Sequence, residues 1–316
     1  MKKLAKYFQI AVVTPNRVNY RDREAHYASG VMTCLRDQYW SWLKEPETNP
    51  TDLTGAMKML VGDAIEKQLV SFVFNQLAAD GYLVKTQVPI GGTNPLGLNL
   101  RPWHGYLDIQ VARKIEDGSW LKFPIEVKTK SGYGADKFWN KMEIDKGYML
   151  QLGLYLSELY KKGGITDGLF LYVLLSDNHF GDVVFIHCRF DPGTNSMYAY
   201  YYEKSDGSAG SLEQQVEVTE AFSRWKKLDE ALEARREPVG EYKYKYELTP
   251  EFLRELSDAQ LKKLIDGVAV TGDWQPLYSR YKDKQLLVDK IRPERTDEER
   301  ALARSEYRRR HPRSKI

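Results

Sequence analysis

WHGYLDIQVARKIEDGSWLKFPIEVKTK, residues Trp103 to Lys130, contains two apolar, β-branched and aromatic runs, and each carries acidic groups toward one point. Asp108 lies in the first run, and Glu126 lies in the second, two residues before Lys128. The Asp117-Gly118 pair between them is a turn signal, so the stretch predicts a β-hairpin. Side chains alternate along a strand, which places Glu126 and Lys128 on one side, where Asp108 of the neighbouring strand can join them. Two carboxylates beside one ammonium are costly in a half-buried sheet unless something cationic sits between the acids. A hard divalent ion with oxygen ligands fits that space.

An Asp followed eighteen residues later by Glu-x-Lys, here Gly105-Tyr106-Leu107-Asp108 and Ile125-Glu126-Val127-Lys128, resembles the PD-(D/E)XK nuclease superfamily. Two further matches fall in the right order. Gln151-Leu152-Gly153-Leu154-Tyr155 is similar to the QxxxY element of the RecB-like branch, and Glu66 to its upstream helical acid. The segment Cys34-Leu35-Arg36-Asp37-Gln38-Tyr39-Trp40 resembles the Cys-x-Arg-x-x-aromatic opening of RecB-like and CRISPR adaptation nucleases. Several of those relatives use that Cys as the first of four iron-sulfur ligands, with three more near the C-terminus. Here Trp274 to Tyr281 holds no cysteine, so no iron-sulfur cluster is expected and Cys34 reads as a core residue.

The chain has 316 residues with 42% hydrophobic content, enough for one large core with a smaller appendage. No apolar run reaches the length of a membrane span, and Met1-Lys2-Lys3 is not followed by a signal-peptide core, so a soluble, cytoplasmic protein is expected, in the host cytoplasm if viral. Two cysteines outside any CxxC pair suit a reducing compartment. No P-loop, HExxH or GxSxG pattern is present. The net charge of +3 hides an asymmetry: from Arg280 onward there are 13 Lys/Arg against 7 Asp/Glu. A basic tail suits a polyanionic partner, although a solvated helix would carry the same charge.

The resemblance implies an α/β fold with a restriction-endonuclease-like core, a central mixed sheet flanked by helices. Residues 1–245 form that core and 246–316 a helical, basic extension. Residues up to about Arg23 read as extended or loop. Helices are expected over Glu24–Leu43 and about Thr51–Asp80, the latter with an apolar stripe of Val61, Ile65, Leu69, Phe72 and Val73 that has Glu66 at its edge. Strands follow at Tyr82–Ile90, through the hairpin, from Gly168, from Asp182 and at Ser196–Lys204, and the apolar run Leu169–Leu175 marks a central strand. Ser131–Lys141 reads as a basic, aromatic loop, Lys141–Lys162 as a helix, Leu212–Arg236 as a charged helix and Glu241–Leu248 as an edge strand. Thr249-Pro250 and Ser257-x-x-Gln260 signal two helix starts.

By the same resemblance, Asp108, Glu126 and the Val127 carbonyl are metal ligands, with Glu66 as an outer ligand, for Mg²⁺ or substituting Mn²⁺. Lys128 meets the attacking water or the phosphate. Gln151 and Tyr155 orient DNA or Lys128, while Lys130, His104, Arg308, Arg309 and Arg310 face the nucleic acid. Tyr307 to Lys315 should be solvent-exposed. The implied activity is a DNA exonuclease of recombination, repair or phage DNA processing; a structure- or sequence-specific endonuclease and a non-catalytic DNA-binding subunit remain as alternatives. DNA is the partner, a helicase or recombination protein would have to supply unwinding, and a homo-oligomer would supply processivity.

Overall fold

The computed structural model describes residues 24–49, 53–97, 99–116, 118, 120–242, 249–267, 279–289 and 295–314. Side chains at 53–56, 58, 59, 66, 69, 70 and 72–74 fall outside that description. So do the N-terminal extended segment and all but the first two residues of the expected strand at Glu241–Leu248.

In chain order the helices are α1 Leu35–Trp42, α2 Leu53–Ala79, α3 Tyr133–Lys141, α4 Lys146–Gly163, α5 Thr219–Glu233, α6 Pro250–Glu255, α7 Asp258–Ile265, α8 Lys282–Val288 and α9 Asp297–Arg310. The strands are β1 His26–Tyr27, β2 Leu83–Gly92, β3 Trp103–Lys114, β4 Trp120–Ser131, β5 Asp167–Leu175, β6 Val183–Asp191, β7 Ser196–Lys204 and β8 Ala209–Glu217. Compactness divides the chain into one unit of residues 1–33 and 52–236 and another of 34–51 and 237–316. Relative to a boundary at 245/246, the segment containing α1 joins the C-terminal unit.

The larger unit is built on one mixed sheet of eight strands in the order β1-β3-β4-β5-β6-β7-β8, with β2 also paired to β3. β4 and β5 run parallel, with α3 and α4 in the crossover, and β5 to β8 form an antiparallel meander. The mixed sheet, its flanking helices and the C-terminal helices agree with a restriction-endonuclease-like arrangement. The apolar run of β5 is central, between β4 and β6, and buries Phe170, Tyr172 and Leu174 fully.

Each face of the sheet has its own apolar layer. α4 is buried from Met149 to Ser157, because a helix apolar on nearly all sides belongs in the middle of a core. It packs with Leu107, Phe170, Ile186 and the α5 residues Phe222 and Trp225 in the main cluster. Fully burying such side chains is worth about 1.5–3 kcal/mol each. Gly153 sits where a Cβ would lie 2.9 Å from Val218 and 3.2 Å from Met197, so glycine lets α4 approach β7. On the opposite face Ile109, Val111, Val127 and Leu171 pack with Leu77 of α2. The expected α2 stripe does not hold throughout, since Val61 is exposed.

Four other segments depart from the sequence reading. Glu24–Leu43 is an α-helix only over Leu35–Trp42, because His26–Tyr27 pairs with β3 as a strand and Ala28–Gly30 forms a single tighter turn. Ser131–Lys141 is largely the helix α3, not a loop, because Ala135, Phe138 and the following Met142 recur at helical spacing and are buried. The next helix starts at Lys146 rather than Lys141: Met142 takes a left-handed φ of 52°, and the Asp145 carboxylate caps α4 by accepting from the Gly147 N–H at 2.8 Å. Leu212–Arg236 is not one helix. Its first part is strand β8, whose half-buried Leu212 and Gln214 and buried Val216 alternate with exposed Glu213, Gln215 and Glu217 while pairing with β7. Strand pairing overrides helix-favouring Glu and Gln there.

In the C-terminal unit the tail is not free. Tyr307 is buried with Ala303, Leu253, Leu261 and Leu264. The Arg310 guanidinium donates to the carbonyls of Leu253, Leu256 and Arg254 and pairs with Glu306 and Asp258, so it closes α9 onto α6 and α7. Arg309 only pairs with Glu306 at the exposed surface. Thr249 caps α6, and Ser257 and Gln260 form the expected capping box of α7. Replacing Arg310 by Ala removes a charged donor from each of those carbonyls and should cost about 1–3 kcal/mol, whereas Arg309→Ala should leave stability nearly unchanged. Urea titration with amide exchange over 250–310 checks the contrast; equal effects would remove Arg310 from its structural role.

Candidate active site

Strands β3 and β4 pair from Lys114↔Trp120 to Ile109↔Ile125 and then fork. Beyond the fork β4 pairs with β5, while β1 joins β3 at Trp103 and His104. Asp108 stands at the opening. Its Oδ2 accepts from the Val127 N–H at 2.8 Å, replacing a ladder bond that the diverging strands cannot make. Gln87 of β2 reaches Asp108 Oδ1 at 3.4 Å and holds a left-handed φ of 49°. Here β3 also changes face: Leu107 belongs to the α4-side cluster and Ile109 to the α2-side cluster, although strict alternation would put both on one side.

Glu126 and Lys128 face α4, since Val127 between them packs on the other face. Glu126 is only 1% exposed. Its Oε1 accepts from Lys128 Nζ at 2.7 Å and from Gln151 Nε2 at 2.6 Å. Its Oε2 is buried and has no hydrogen-bond partner among the described residues. Burial pushes the Glu126 carboxyl up to about 7; Lys128 opposes the rise and Asp108 adds to it. For Lys128 burial acts downward, but the Glu126 and Asp108 carboxylates outweigh it and hold the ammonium above its ordinary range.

Gln151 and Tyr155 lie at i and i+4 on α4 and are both buried, with Gln151 Nε2 also 3.1 Å from the Tyr155 hydroxyl. Tyr155 stacks on Trp103, and its hydroxyl accepts from the Tyr106 backbone N–H. The two residues therefore brace Glu126 and Lys128 from beneath. Gly105 is the condition for this, because a Cβ there would overlap the Tyr155 hydroxyl.

The structure thus brings together Asp108, Glu126, Lys128, Gln151 and Tyr155. Lys130 is half-buried two positions along β4, with its ammonium 5.4 Å from the Tyr148 ring. His104 packs edge-on to Tyr27 at the short β1 pairing, where it reads as a strand-end ring. Glu66 belongs to α2, but its side chain lies outside the described residues. Arg308, Arg309 and Arg310 are in the C-terminal unit. Sequence reasoning missed Gln87 and Tyr148. A lone Gln in a strand gives no signal, but Tyr148 could have been found from its place one turn before Gln151.

The residues present suit a hard cation. Lys128 is paired with Glu126, the Asp108 carboxylate is close enough to act on both, and among the described residues one buried Glu126 oxygen has no hydrogen-bond partner. Among the described residues no group of three or more His, Cys, Asp or Glu converges to hold a metal.

No protein-family model and no curated protein matches this chain. Among solved structures it is similar to SSO0001, at 13% identity and a TM-score of 0.42 over 76% of this chain and 89% of that one. It is also similar to an alkaline exonuclease, LHK-Exo, from Laribacter hongkongensis, at 12% identity and a TM-score of 0.37 over 68% of this chain and 90% of that one. Values this low assign no family. Among the described residues no helix is long and apolar enough to cross a membrane.

Gly105→Ala should displace the Tyr155 ring and loosen Gln151 and Glu126. A loss of about 1–3 kcal/mol is expected from overpacking, relieved only in part in Gly105→Ala with Tyr155→Phe because the ring carbons 2.7 and 2.9 Å from the new Cβ remain; thermal melts of both variants beside the wild type check it. The raised Glu126 pKa also sets a pH dependence. The unfolded carboxyl ionises near 4.5 and the folded one near 7, so metal-free stability should fall as pH rises between those values. Melts in EDTA should show Tm dropping by several degrees from pH 5 to 8. Glu126→Gln should remove that slope, and an unchanged slope would place its origin elsewhere.

Proposed function

We propose that this chain is a metal-dependent deoxyribonuclease, an exonuclease acting in DNA recombination, repair or phage DNA processing. The observation that carries the reading is the buried Asp108 and Glu126 pair, in which Glu126 is paired with Lys128 through one oxygen and, among the described residues, has no hydrogen-bond partner for the other. A buried carboxylate in that state is destabilising unless a cation completes it. Asp108, Glu126 and the Val127 carbonyl would hold Mg²⁺, or Mn²⁺ in its place, with Glu66 as the acid that the sequence resemblance adds from α2. When bound, such an ion offsets charge on a phosphodiester and favours hydroxide near neutral pH.

The chain's own residues divide the remaining work. Val127 N–H fixes Asp108, and Gln151 with Lys128 fixes one oxygen of Glu126, which leaves the other oriented and unscreened. Lys128 supplies positive charge beside the acids and can donate to the attacking water or to a phosphate oxygen. Tyr155 and Trp103 form an apolar floor that excludes water. DNA is the substrate in this reading. Ends are the expected point of attack, with unwinding supplied by a helicase or recombination partner and processivity by a homo-oligomer.

Digestion of 5′-labelled and 3′-labelled single- and double-stranded DNA, and of a closed circle, with Mg²⁺, Mn²⁺ or EDTA tests the reading. Metal-dependent loss of linear DNA with the circle intact is expected; cutting of the circle would indicate an endonuclease, and binding without cleavage a non-catalytic subunit. Asp108→Asn and Glu126→Gln should nearly abolish cleavage while leaving DNA affinity within a few-fold. Lys128→Ala should slow it by about a hundredfold. Wild-type turnover in either acid variant would sink the assignment.

A further inference from the structure

We propose that Tyr148 is a positioning residue that holds two lysines side by side for different duties, Lys128 against Glu126 and Lys130 toward a substrate phosphate. This rests on the nuclease reading above. Lys128 and Lys130 alternate along β4 and therefore project from the same face. The Tyr148 ring lies against both, with its centroid 4.8 Å from Lys128 Nζ and 5.4 Å from Lys130 Nζ. Its place is rigid, since it stands in the first turn of α4, where Asp145 caps the helix through the Gly147 N–H.

The two ammonium groups differ in what else they touch. Lys128 is committed to Glu126 Oε1 at 2.7 Å and lies 3.4 Å from Gln151 Oε1. Among the described residues Lys130 makes no hydrogen bond or ion pair, and the Tyr148 ring is its one close cation contact. It is half-buried, and burial holds its pKa below the usual lysine range. An amine in that position gains most from an anion arriving with the substrate, and a phosphate next to the cleaved one meets that need. A long lysine stem has many rotamers, so an aromatic face that pins two ammonium groups removes disorder from both.

The full-length protein with Tyr148→Leu and Tyr148→Phe tests the proposal. With Mg²⁺ and a labelled oligonucleotide, the Leu variant should show kcat/KM about tenfold lower through both a raised KM and a lowered kcat, as expected for loss of two cation–π contacts. The Phe variant, which keeps the ring, should recover to within about twofold. A second readout needs no cleavage: amine acylation in EDTA, followed by peptide mass spectrometry. Lys128 and Lys130 should react several-fold faster in the Leu variant and unchanged in the Phe variant, and equal labelling in all three proteins would overturn the positioning role. The phosphate role of Lys130 is read in Asp108→Asn protein, where adding Lys130→Gln should flatten log affinity against log salt by about 0.9 on duplex or 0.7 on single-stranded DNA. An unchanged slope overturns that role. Absence of cleavage by the wild type would refute the nuclease reading while the labelling result still decides what Tyr148 does.

Discussion

Two carboxylates are buried beside one lysine, and much of the larger unit is arranged to make that tolerable. Glu126 is almost fully enclosed, yet its Oε1 takes donors from both Lys128 and Gln151. Asp108 is steadied by a backbone N–H that strand divergence has freed. Removing any donor would leave a charge in a setting where water cannot replace it, which costs more than the contact gains. Among the described residues only the buried Oε2 of Glu126 is left without a hydrogen-bond partner in this cluster.

The fork of β3 and β4 creates this chemistry. Below Ile109 and Ile125 the strands form an ordinary hairpin, and above it they separate to take different neighbours. Into the opening α4 sends Gln151 and Tyr155, which is possible because Gly105 offers no side chain and Gly153 lets the helix settle on the sheet. The reversal of side-chain direction at Asp108, next to the left-handed Gln87, concentrates irregular backbone at the candidate site, where strain is commonly found.

In the C-terminal unit a network of polar side chains gathers around α1. α1, which carries the Cys-x-Arg-x-x-aromatic pattern, is held to the segments around Ser279 and α8 by hydrogen bonds. Arg36 reaches Gln285 and Asp289, and Asp37 accepts from Tyr242, Ser279 and Gln285. Cys34 is buried at the centre of this network, where burial raises its pKa and Gln285 lies 3.5 Å from its sulfur. Distant parts of the sequence are joined there by polar side chains.

The sequence alone determined what depends on local pattern. The spacing of Asp108, Glu126 and Lys128, the turn signal between the runs and the apolar stretch of β5 were enough for the hairpin, the central strand and the acid pair, because alternation and β-propensity are properties of neighbouring residues. Thr249, Ser257 and Gln260 likewise marked their helices through capping bonds made within one turn. Tertiary structure decided the rest. β8 became a strand only because β7 offered its edge, and α3 became a helix because Ala135 and Phe138 found a core. The tail's charge likewise revealed nothing of its fate: Arg310 and Tyr307 are held by carbonyls and side chains more than forty residues away in sequence, and composition cannot encode such pairings. Tyr148 stands one turn before Gln151, which marks its helix face, but its partners are lysines on a strand that only folding brings beneath it.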